Sequence, residues 1–176
     1  ILLIFPQLKN IKIFNKINNS SFKNFILKDF IFLISLMIID ETDNADYFLY
    51  KFNLSNNEKK RVNFLKDIFS KPLVANTFSE KNLWKIFYYH GRNSLDDMIN
   101  FQICRFKSVD KKLIKLKYFF QQKNRPIFPV NAKILIEKYK FKEGKVLGQK
   151  LKEIENIWVN NEFKISQNEI EKVVTN

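Results

Sequence analysis

Apolar side chains recur at every third or fourth position through most of this chain, and no alternating pattern persists for more than a few residues. Spacing of this kind places apolar side chains on one face of an α-helix. The strongest apolar run covers residues 30–39 and is interrupted by Ser35. It is too short to span a bilayer, which needs about 20 residues. The run therefore predicts a buried central helix, which we expect to begin at Ser21 and to end near Ile39.

Short polar signals predict where other helices begin and end. The segment Ser55-Asn-Asn-Glu58 has the spacing of a capping box, in which the hydroxyl and the carboxylate each accept a hydrogen bond from a backbone amide. Ser79 precedes the next apolar pattern, and Gly91 follows it in the position that commonly ends a helix. These signals predict two helices, one between Ser55 and Pro72 and one between Ser79 and Gly91.

Two prolines, Pro126 and Pro129, separate the last third of the chain from the rest, because proline cannot continue a helix. After them we expect a short helix capped by Asn131, a long amphipathic helix opened by Gly144, and a terminal helix behind a second capping box at Ser166. The long helix presents one core face, made of Leu147, Leu151, Ile154 and Trp158.

These signals together predict an all-α protein, an irregular array of about eight to ten short helices. We expect a helical body over residues 1–125 and a helical tail over residues 126–176. The predicted helices cover residues 21–39, 56–71, 80–90, 94–106, 109–122, 132–139, 145–158 and the segment after Ser166.

Composition adds a strong positive charge to this helical picture. The chain has 31 basic and 18 acidic residues, a formal net charge of +13 and a pI near 9.7. This balance favours a polyanionic partner, either a nucleic acid or an anionic membrane surface. Only four basic residues are arginine, and Phe, Ile, Lys and Asn are abundant throughout, as in proteins from A+T-rich genomes. A selected basic face and a compositional lysine excess are both open interpretations.

The chain offers little of the chemistry that catalysis requires. The single cysteine, Cys104, cannot form an internal disulfide, which is typical of a cytoplasmic protein, and we expect it to be an inert small hydrophobe. His90 is also single, so zinc sites of Cys and His are excluded, and its place before Gly91 favours capping a helix end. Nucleotidyl transfer needs two metal-binding carboxylates on a strand, and the nearest spacing, Glu41-Thr-Asp43, lies in a predicted loop.

Basic residues, in contrast, stand around the predicted turns and helix beginnings. A glycine such as Gly144 at a helix start lets a phosphate approach the free amides of the first turn, and Lys145 adds charge beside it. We expect Asp96 and Asp97 to be surface charges on a helix. The alternative interpretation of Lys145 and the other basic residues is an exposed charged face that contacts only water. The candidate RNA-binding residues are Arg92, Arg125, Lys133, Lys145 and Lys150.

Three stretches, in this order, resemble one known family. Residues 4–8 (Ile-Phe-Pro-Gln-Leu) are similar to the step that closes the family's neck, and residues 54–61 with residues 83–92 are similar to its helical body. The segment from Phe128-Pro129 to Trp158 is similar to its tail. The chain thus resembles the C-terminal body and tail of the bacterial tRNA nucleotidyltransferase (CCA-adding enzyme) and poly(A) polymerase family.

The resemblance implies an RNA-binding part of a protein that acts in tRNA 3′-end processing. The family's catalytic head is missing from this sequence, so the resemblance implies a chain that is inactive alone, with Mg²⁺ and CTP or ATP belonging to the head. The implied partners are tRNA or other RNA and a separate catalytic head chain, with no membrane. Ala132 and Ile134 stand where the family usually has Gly and Asp around Lys133. Because Ile1 opens an apolar stretch, we expect a piece of a longer protein.

Three alternatives stay open at this point. A separate chain supplies the head and the two form an active transferase; or this is an inactive remnant of a split gene; or it is a basic helical module that binds other proteins. CCA addition and A-tailing are distinguished by residues of the head, so this sequence is compatible with both.

Overall fold

The computed structural model describes residues 6–10, 12–13, 29–105 and 111–175. This part of the chain has eight helices and no strand, so the all-α prediction is confirmed for it. The chain divides into two compact units, Ile1–Lys123 and Asn124–Asn176, close to the boundary predicted after residue 125. In chain order the helices are α1 (Phe30–Ile38), α2 (Asn44–Lys51), α3 (Asn56–Phe69), α4 (Glu80–Arg105), α5 (Lys111–Gln121), α6 (Ala132–Tyr139), α7 (Lys145–Asn160) and α8 (Gln167–Thr175).

Helix α1 is the apolar centre of the first unit, and every side chain after Phe30 is buried. The carboxylate of Asp29 caps its first turn by accepting a hydrogen bond from the amide of Phe32 (3.1 Å). Ser35, its single polar residue, donates its hydroxyl hydrogen to the carbonyl of Ile31 (2.8 Å). The helix therefore buries a polar residue without leaving the hydroxyl unsatisfied.

The prediction of one continuous helix from Ser21 to Ile39 is wrong, because Asp29 has an extended backbone (φ −110°, ψ 92°) and α1 begins after it. The Asp29 carboxylate accepts a hydrogen bond from the amide of Phe32, so Asp29 begins a new helix and does not continue an earlier one. Ser21 itself lies outside the described residues, as do Ile4, Phe5 and residues 106–110.

The predicted helix signals in the middle of the chain are confirmed. The amide of Ser55 donates to the Glu58 carboxylate (2.8 Å), and the amide of Glu58 donates to the Ser55 hydroxyl (3.4 Å), which completes the capping box of α3. The Ser79 hydroxyl accepts from the amide of Asn82 (3.3 Å) at the start of α4. Gly91 interrupts α4 with a left-handed φ of 80°. Helix α4 therefore consists of two segments that meet at this glycine.

Aromatic side chains fill much of the core of the first unit. The ring of Phe69 on α3 stacks on Phe101 of α4 at 4.3 Å, and Phe32 of α1 meets Phe101 edge-on at 6.3 Å. Trp84 of α4 meets Phe120 of α5 edge-on at 5.0 Å. Such pairs contribute roughly 0.5–1.5 kcal/mol each beyond the area they bury. They connect α1, α3, α4 and α5 into one core.

The second unit is built from α6, α7 and α8 with the caps that the sequence predicts. The Asn131 side chain accepts from the amide of Ile134 (3.0 Å) at the start of α6. The amide of Ser166 donates to the Glu169 carboxylate (2.8 Å), and the amide of Glu169 donates to the Ser166 hydroxyl (3.3 Å). Its small core cluster contains Val130, Leu135, Leu147, Ile154 and Val173.

Trp158, near the end of α7, is the largest buried side chain of this unit, with 3% of its surface exposed. The ring centroid of Phe128, in the segment between the two prolines, lies 5.3 Å from that of Trp158. The ring of Phe163 meets Trp158 edge-on, with a centroid distance of 5.0 Å. Phe163 has a left-handed φ of 63°, which turns the chain after α7. The predicted core face of α7 is confirmed, because Leu147, Ile154 and Trp158 are buried.

Candidate functional site

A cleft of about 540 Å³ opens in the first unit between α3 and the middle of α4. This volume lies within the range of small-ligand sites, roughly 300–1,000 Å³. Helix α3 lines it with Lys60, Arg61 and Phe64, and α4 lines it from both sides of the break at Gly91, with His90 before the break and Asp97 after it. The break at Gly91 therefore places residues of both α4 segments at one cleft.

The guanidinium of Arg61 lies between two carboxylates at this cleft. It donates to Asp97 at 2.5 and 2.7 Å and to Asp29 at 2.8 and 2.5 Å. Burial opposes ionisation of Asp29, but the hydrogen bond from Arg61 and the amides of α1 outweigh it and hold the pKa of Asp29 below its ordinary value. The hydrogen bonds to Asp97 and Asp29 raise the pKa of Arg61. This paired arrangement fixes the start of α1 to α3 and α4.

The prediction that Asp96 and Asp97 are surface charges is wrong for Asp97, which is only 6% exposed. Its partner Arg61 stands 36 positions earlier, so no local pattern reveals the pair. Burial raises the pKa of Asp97 in spite of Arg61. Asp96 is half-buried, and burial raises its pKa too, although Lys117 and Arg92 oppose the shift. Both carboxylates are thus part of a packed polar region.

A pair of rings, one exposed and one half-buried, lies among these polar side chains. His90 ends the first segment of α4, and its ring centroid lies 4.8 Å from that of Phe64 on α3. His90 is exposed, Phe64 is half-buried, and the neighbouring lining residues Lys60 and Asn93 are exposed. The capping role of His90 stays a prediction. The pair gives the cleft a ring surface that solvent reaches.

Arg92 is the one predicted RNA-binding residue of the first unit, and it has contacts inside the protein. Its guanidinium donates to the carbonyl of Phe120 (2.5 Å) and to the carbonyl of Lys123. It also lies 5.1 Å from the ring of Phe87. These contacts tie the second segment of α4 to the end of α5 and satisfy carbonyls at a helix end. RNA binding by Arg92 stays a prediction.

The other four predicted residues lie in the second unit. Arg125 is exposed, and Lys145 is exposed as the first residue of α7. The Lys133 side chain is 78% exposed and lies 3.7 Å from Glu137. The Lys150 side chain is 20% exposed and lies 3.5 Å from a carboxylate of the next turn. Because exposed ion pairs contribute little, Lys133 is available to another anion.

Charge is unevenly distributed along the second unit. Residues 125–152 contain eight basic and two acidic residues, whereas residues 153–176 contain two basic and five acidic residues. The positive part covers α6 and the first half of α7, and the negative part covers the end of α7 and α8. The predicted cations of this unit all belong to the positive part. A polyanion would therefore meet attraction at one part of the unit and repulsion at the other.

A second basic surface was missing from the sequence prediction. Helix α5 carries four lysines and no acidic residue. Lys111, Lys112 and Lys115 are exposed, and Tyr118 beside them is 59% exposed. Lys117 is buried and donates to the Asn100 side chain (2.8 Å). Lys111, Lys115 and Tyr118 have helical spacing, which places them on one face of α5. This spacing could have predicted the basic surface from the sequence.

Other chemical features of the described residues are sparse. Cys104 is buried, and burial raises the pKa of its thiol to about 12, which keeps the thiol protonated at neutral pH. Within residues 6–10, 12–13, 29–105 and 111–175, no group of three or more His, Cys, Asp or Glu side chains could hold a metal ion. No helix in that same part of the chain combines the length and apolar character needed to cross a membrane.

Comparisons of this chain with protein-family models, with curated proteins and with solved structures give no match. The residues of the chain itself are therefore the basis for inferring its function.

Proposed function

We propose that this chain is the tRNA- or RNA-binding C-terminal part of a protein like the tRNA nucleotidyltransferases and poly(A) polymerases, and that it acts in tRNA 3′-end processing. Its sequence resemblance to the body and tail of that family motivates the proposal. The role we assign to it is to hold the RNA, not to join nucleotides. Arg125, Lys133, Lys145 and Lys150 supply the contacts of the second unit, with Arg92 as the contact of the first.

The observation that carries this proposal is the separation of charge in the second unit. Eight of the ten residues with charge in segment 125–152 are basic, and Arg125, Lys133 and Lys145 are exposed. A lysine excess that reflected genome composition alone would be expected to continue through residues 153–176, which instead contain two basic and five acidic residues. Electrostatic docking to a phosphate backbone needs an excess of exposed cations and no particular base sequence.

Helix beginnings add to the attraction at two of these cations. Lys133 lies in the first turn of α6, and Lys145 is the first residue of α7. Gly144, the N-cap of α7, has no side chain with which to cap the first-turn amides, and its φ of 143° is a conformation that glycine adopts readily. Amides and a lysine at a helix start favour a phosphate at the same place.

The chain alone should have no nucleotidyltransferase activity. The reason is that the sequence lacks the strand-borne Asp-x-Asp pair and the Gly-Ser turn that nucleotidyl transfer requires. Purified chain is incubated with tRNA lacking its 3′ end, Mg²⁺, CTP and ATP, and labelled nucleotide in the tRNA is measured. Incorporation above the level without protein would contradict this prediction.

Salt-dependent tRNA binding tests the proposal itself. The affinity of the chain for a tRNA transcript is measured between about 50 and 200 mM salt, and we expect a linear fall of log affinity with log salt. The slope should correspond to several phosphate contacts, at roughly 0.7–0.9 for each. Absence of tRNA binding at the low end of this range would sink the proposal and leave the remnant and the protein-binding module as the remaining explanations.

A further inference from the structure

The cleft between α3 and α4 differs in kind from the surface lysines that dock a phosphate backbone. It combines the ring pair Phe64 and His90 with the neutral polar side chains of Asn57, Asn93 and Ser94. His90, Asn57 and Asn93 are exposed, so a ligand can reach them from solvent. A ring bordered by amides and a hydroxyl offers a stacking face and hydrogen-bonding groups at one place.

The charges of the cleft disfavour two other classes of ligand. Three aspartates and two cations line it, and the Arg61 guanidinium is already bound to Asp29 and Asp97. A simple anion would therefore meet the half-buried Asp96 with little compensation. An apolar ligand would displace water from the carboxylates and amides that line the cleft, and it could not replace the hydrogen bonds that the water makes. A neutral planar heterocycle beside Asp96 avoids both difficulties, and a phosphate attached to it would contact exposed Lys60 and not the half-buried Asp96.

We propose that this cleft binds a nucleobase. His90 supplies the stacking surface, Asn57 and Asn93 meet the edge of the base, and Lys60 contacts the attached phosphate. A cleft of about 540 Å³ is of the size of single small-ligand sites. The inference rests on the proposed function in one respect: the base is taken to come from an unpaired nucleotide of a bound RNA. A free mononucleotide carries the same chemistry and forms a separate arm of the test.

The test compares two labelled single strands, a short adenine-containing RNA and the same strand with abasic ribose at its internal positions. The abasic strand keeps the phosphates and loses the rings. Fluorescence anisotropy at low salt should show that the wild-type chain binds the abasic strand about tenfold more weakly. His90→Ala should bind the adenine strand about tenfold more weakly than wild type and the abasic strand equally well. His90→Phe, which keeps a ring, should restore most of the binding.

Further variants separate loss of a ring from loss of structure. Asn93→Trp places a large side chain at the cleft while His90 stays in place, and it should weaken binding of the adenine strand only. Tyr50→Ala removes a ring that is 90% exposed on α2 and should leave both strands unaffected. Circular dichroism checks the helical content of each variant. In the second arm, calorimetry compares AMP with ribose 5-phosphate, and only AMP should bind.

The outcomes separate this inference from the proposed function. Equal wild-type binding of both strands, or unchanged binding by both His90→Ala and Asn93→Trp, would overturn the cleft while leaving RNA docking in place. An equal loss in Tyr50→Ala would also overturn it. Binding of AMP but not of the adenine strand, with AMP binding lost in His90→Ala, would support a nucleobase cleft and overturn RNA as the source of the base. Binding of none of these ligands would overturn the cleft, and the tRNA measurement described above would still decide the proposed function.

Discussion

The arginines of the first unit and the lysines at the helix starts of the second unit differ in their surroundings. In the first unit, all three arginines donate to acceptors of the protein itself: Arg61 to two carboxylates, Arg92 to two backbone carbonyls, and Arg105 to the carbonyl of Phe69 (3.1 Å). In the second unit, Lys133 and Lys145 are exposed in the first turns of α6 and α7. Formal charge alone hides this difference, because a cation that satisfies a protein acceptor has less capacity to bind a partner.

The difference has a structural origin in the size of the two cores. The first unit has many buried aromatic side chains and must satisfy the polar groups that become buried among them. The second unit has a small core and leaves most of its polar side chains in water. The arginines of the first unit therefore hold helices together, whereas Lys133 and Lys145 of the second unit extend into solvent. The first unit also has exposed lysines, among them Lys60 at the cleft and Lys111, Lys112 and Lys115 on α5.

The largest effect should come from the small core of the second unit. Trp158→Ala removes the ring that Phe128 and Phe163 contact, and truncating a buried Trp typically destabilises by about 3–5 kcal/mol. We expect the second unit to unfold at a clearly lower temperature, as measured by the thermal melt of helical circular dichroism. Tyr50→Ala, at an exposed ring, is the control and should change stability by less than about 0.5 kcal/mol. An unchanged melt for Trp158→Ala would mean that the second unit does not pack around this residue.

A matched pair of cation substitutions tests the comparison between units directly. Arg61→Ala leaves Asp97 buried without its guanidinium partner and should destabilise the chain by about 2–3 kcal/mol, below the full value for a buried pair because Arg61 is partly exposed. Lys145→Ala removes an exposed side chain and should change stability by less than about 0.5 kcal/mol. Urea unfolding measures both. Equal effects would show that these two cations do not differ in their structural role.

Acid should remove the contribution of Asp29, because Arg61 and the first amides of α1 hold its folded-state pKa below the ordinary value of 3.8. A lowered pKa gives stability that is present above the unfolded-state pKa and is lost as pH falls through the folded-state value. Asn in place of Asp29 keeps the helix cap and removes the charge. Asp29→Asn should therefore be less stable than wild type at pH 7, and the difference should shrink below about pH 4. A difference that stays constant from pH 7 to pH 3 would contradict this assignment.

Local signals in the sequence predicted much of the fold, and long-range pairs escaped it. Ser55, Ser79, Asn131 and Ser166 cap helices as predicted, because a cap depends only on residues within one turn. The Arg61–Asp97 pair joins residues on different helices, and nothing near Asp97 in the sequence indicates its burial. The packing of helices that are distant in sequence brings these two residues together, and it also forms the cleft beside Gly91.

The same division applies to the candidate site. Lys133, Lys145 and Arg125 stand at a helix start or at the proline break, and their exposure follows from local pattern. The interior contacts of Arg92 do not, because its acceptors Phe120 and Lys123 lie at and just after the far end of α5. Local pattern therefore predicts exposure for basic residues at helix starts and at the proline break, whereas tertiary structure determines which other basic residues bind acceptors inside the protein.

One pair of double variants tests the central claim that the positive part of the second unit is the RNA-docking surface. Lys133→Ala with Lys145→Ala removes two exposed cations from segment 125–152, and Lys164→Ala with Lys172→Ala removes two exposed cations from the acidic segment of the same unit. The change in net charge is identical, so only position differs. Affinity for one tRNA is measured as a function of salt for both double variants and for the wild-type chain. The first double variant should bind more weakly and reduce the slope of log affinity against log salt by roughly 1.4–1.8, which corresponds to two phosphate contacts, and the second should match wild type closely. Equal losses in both variants would contradict the account, because tRNA would then respond only to the total charge of the chain.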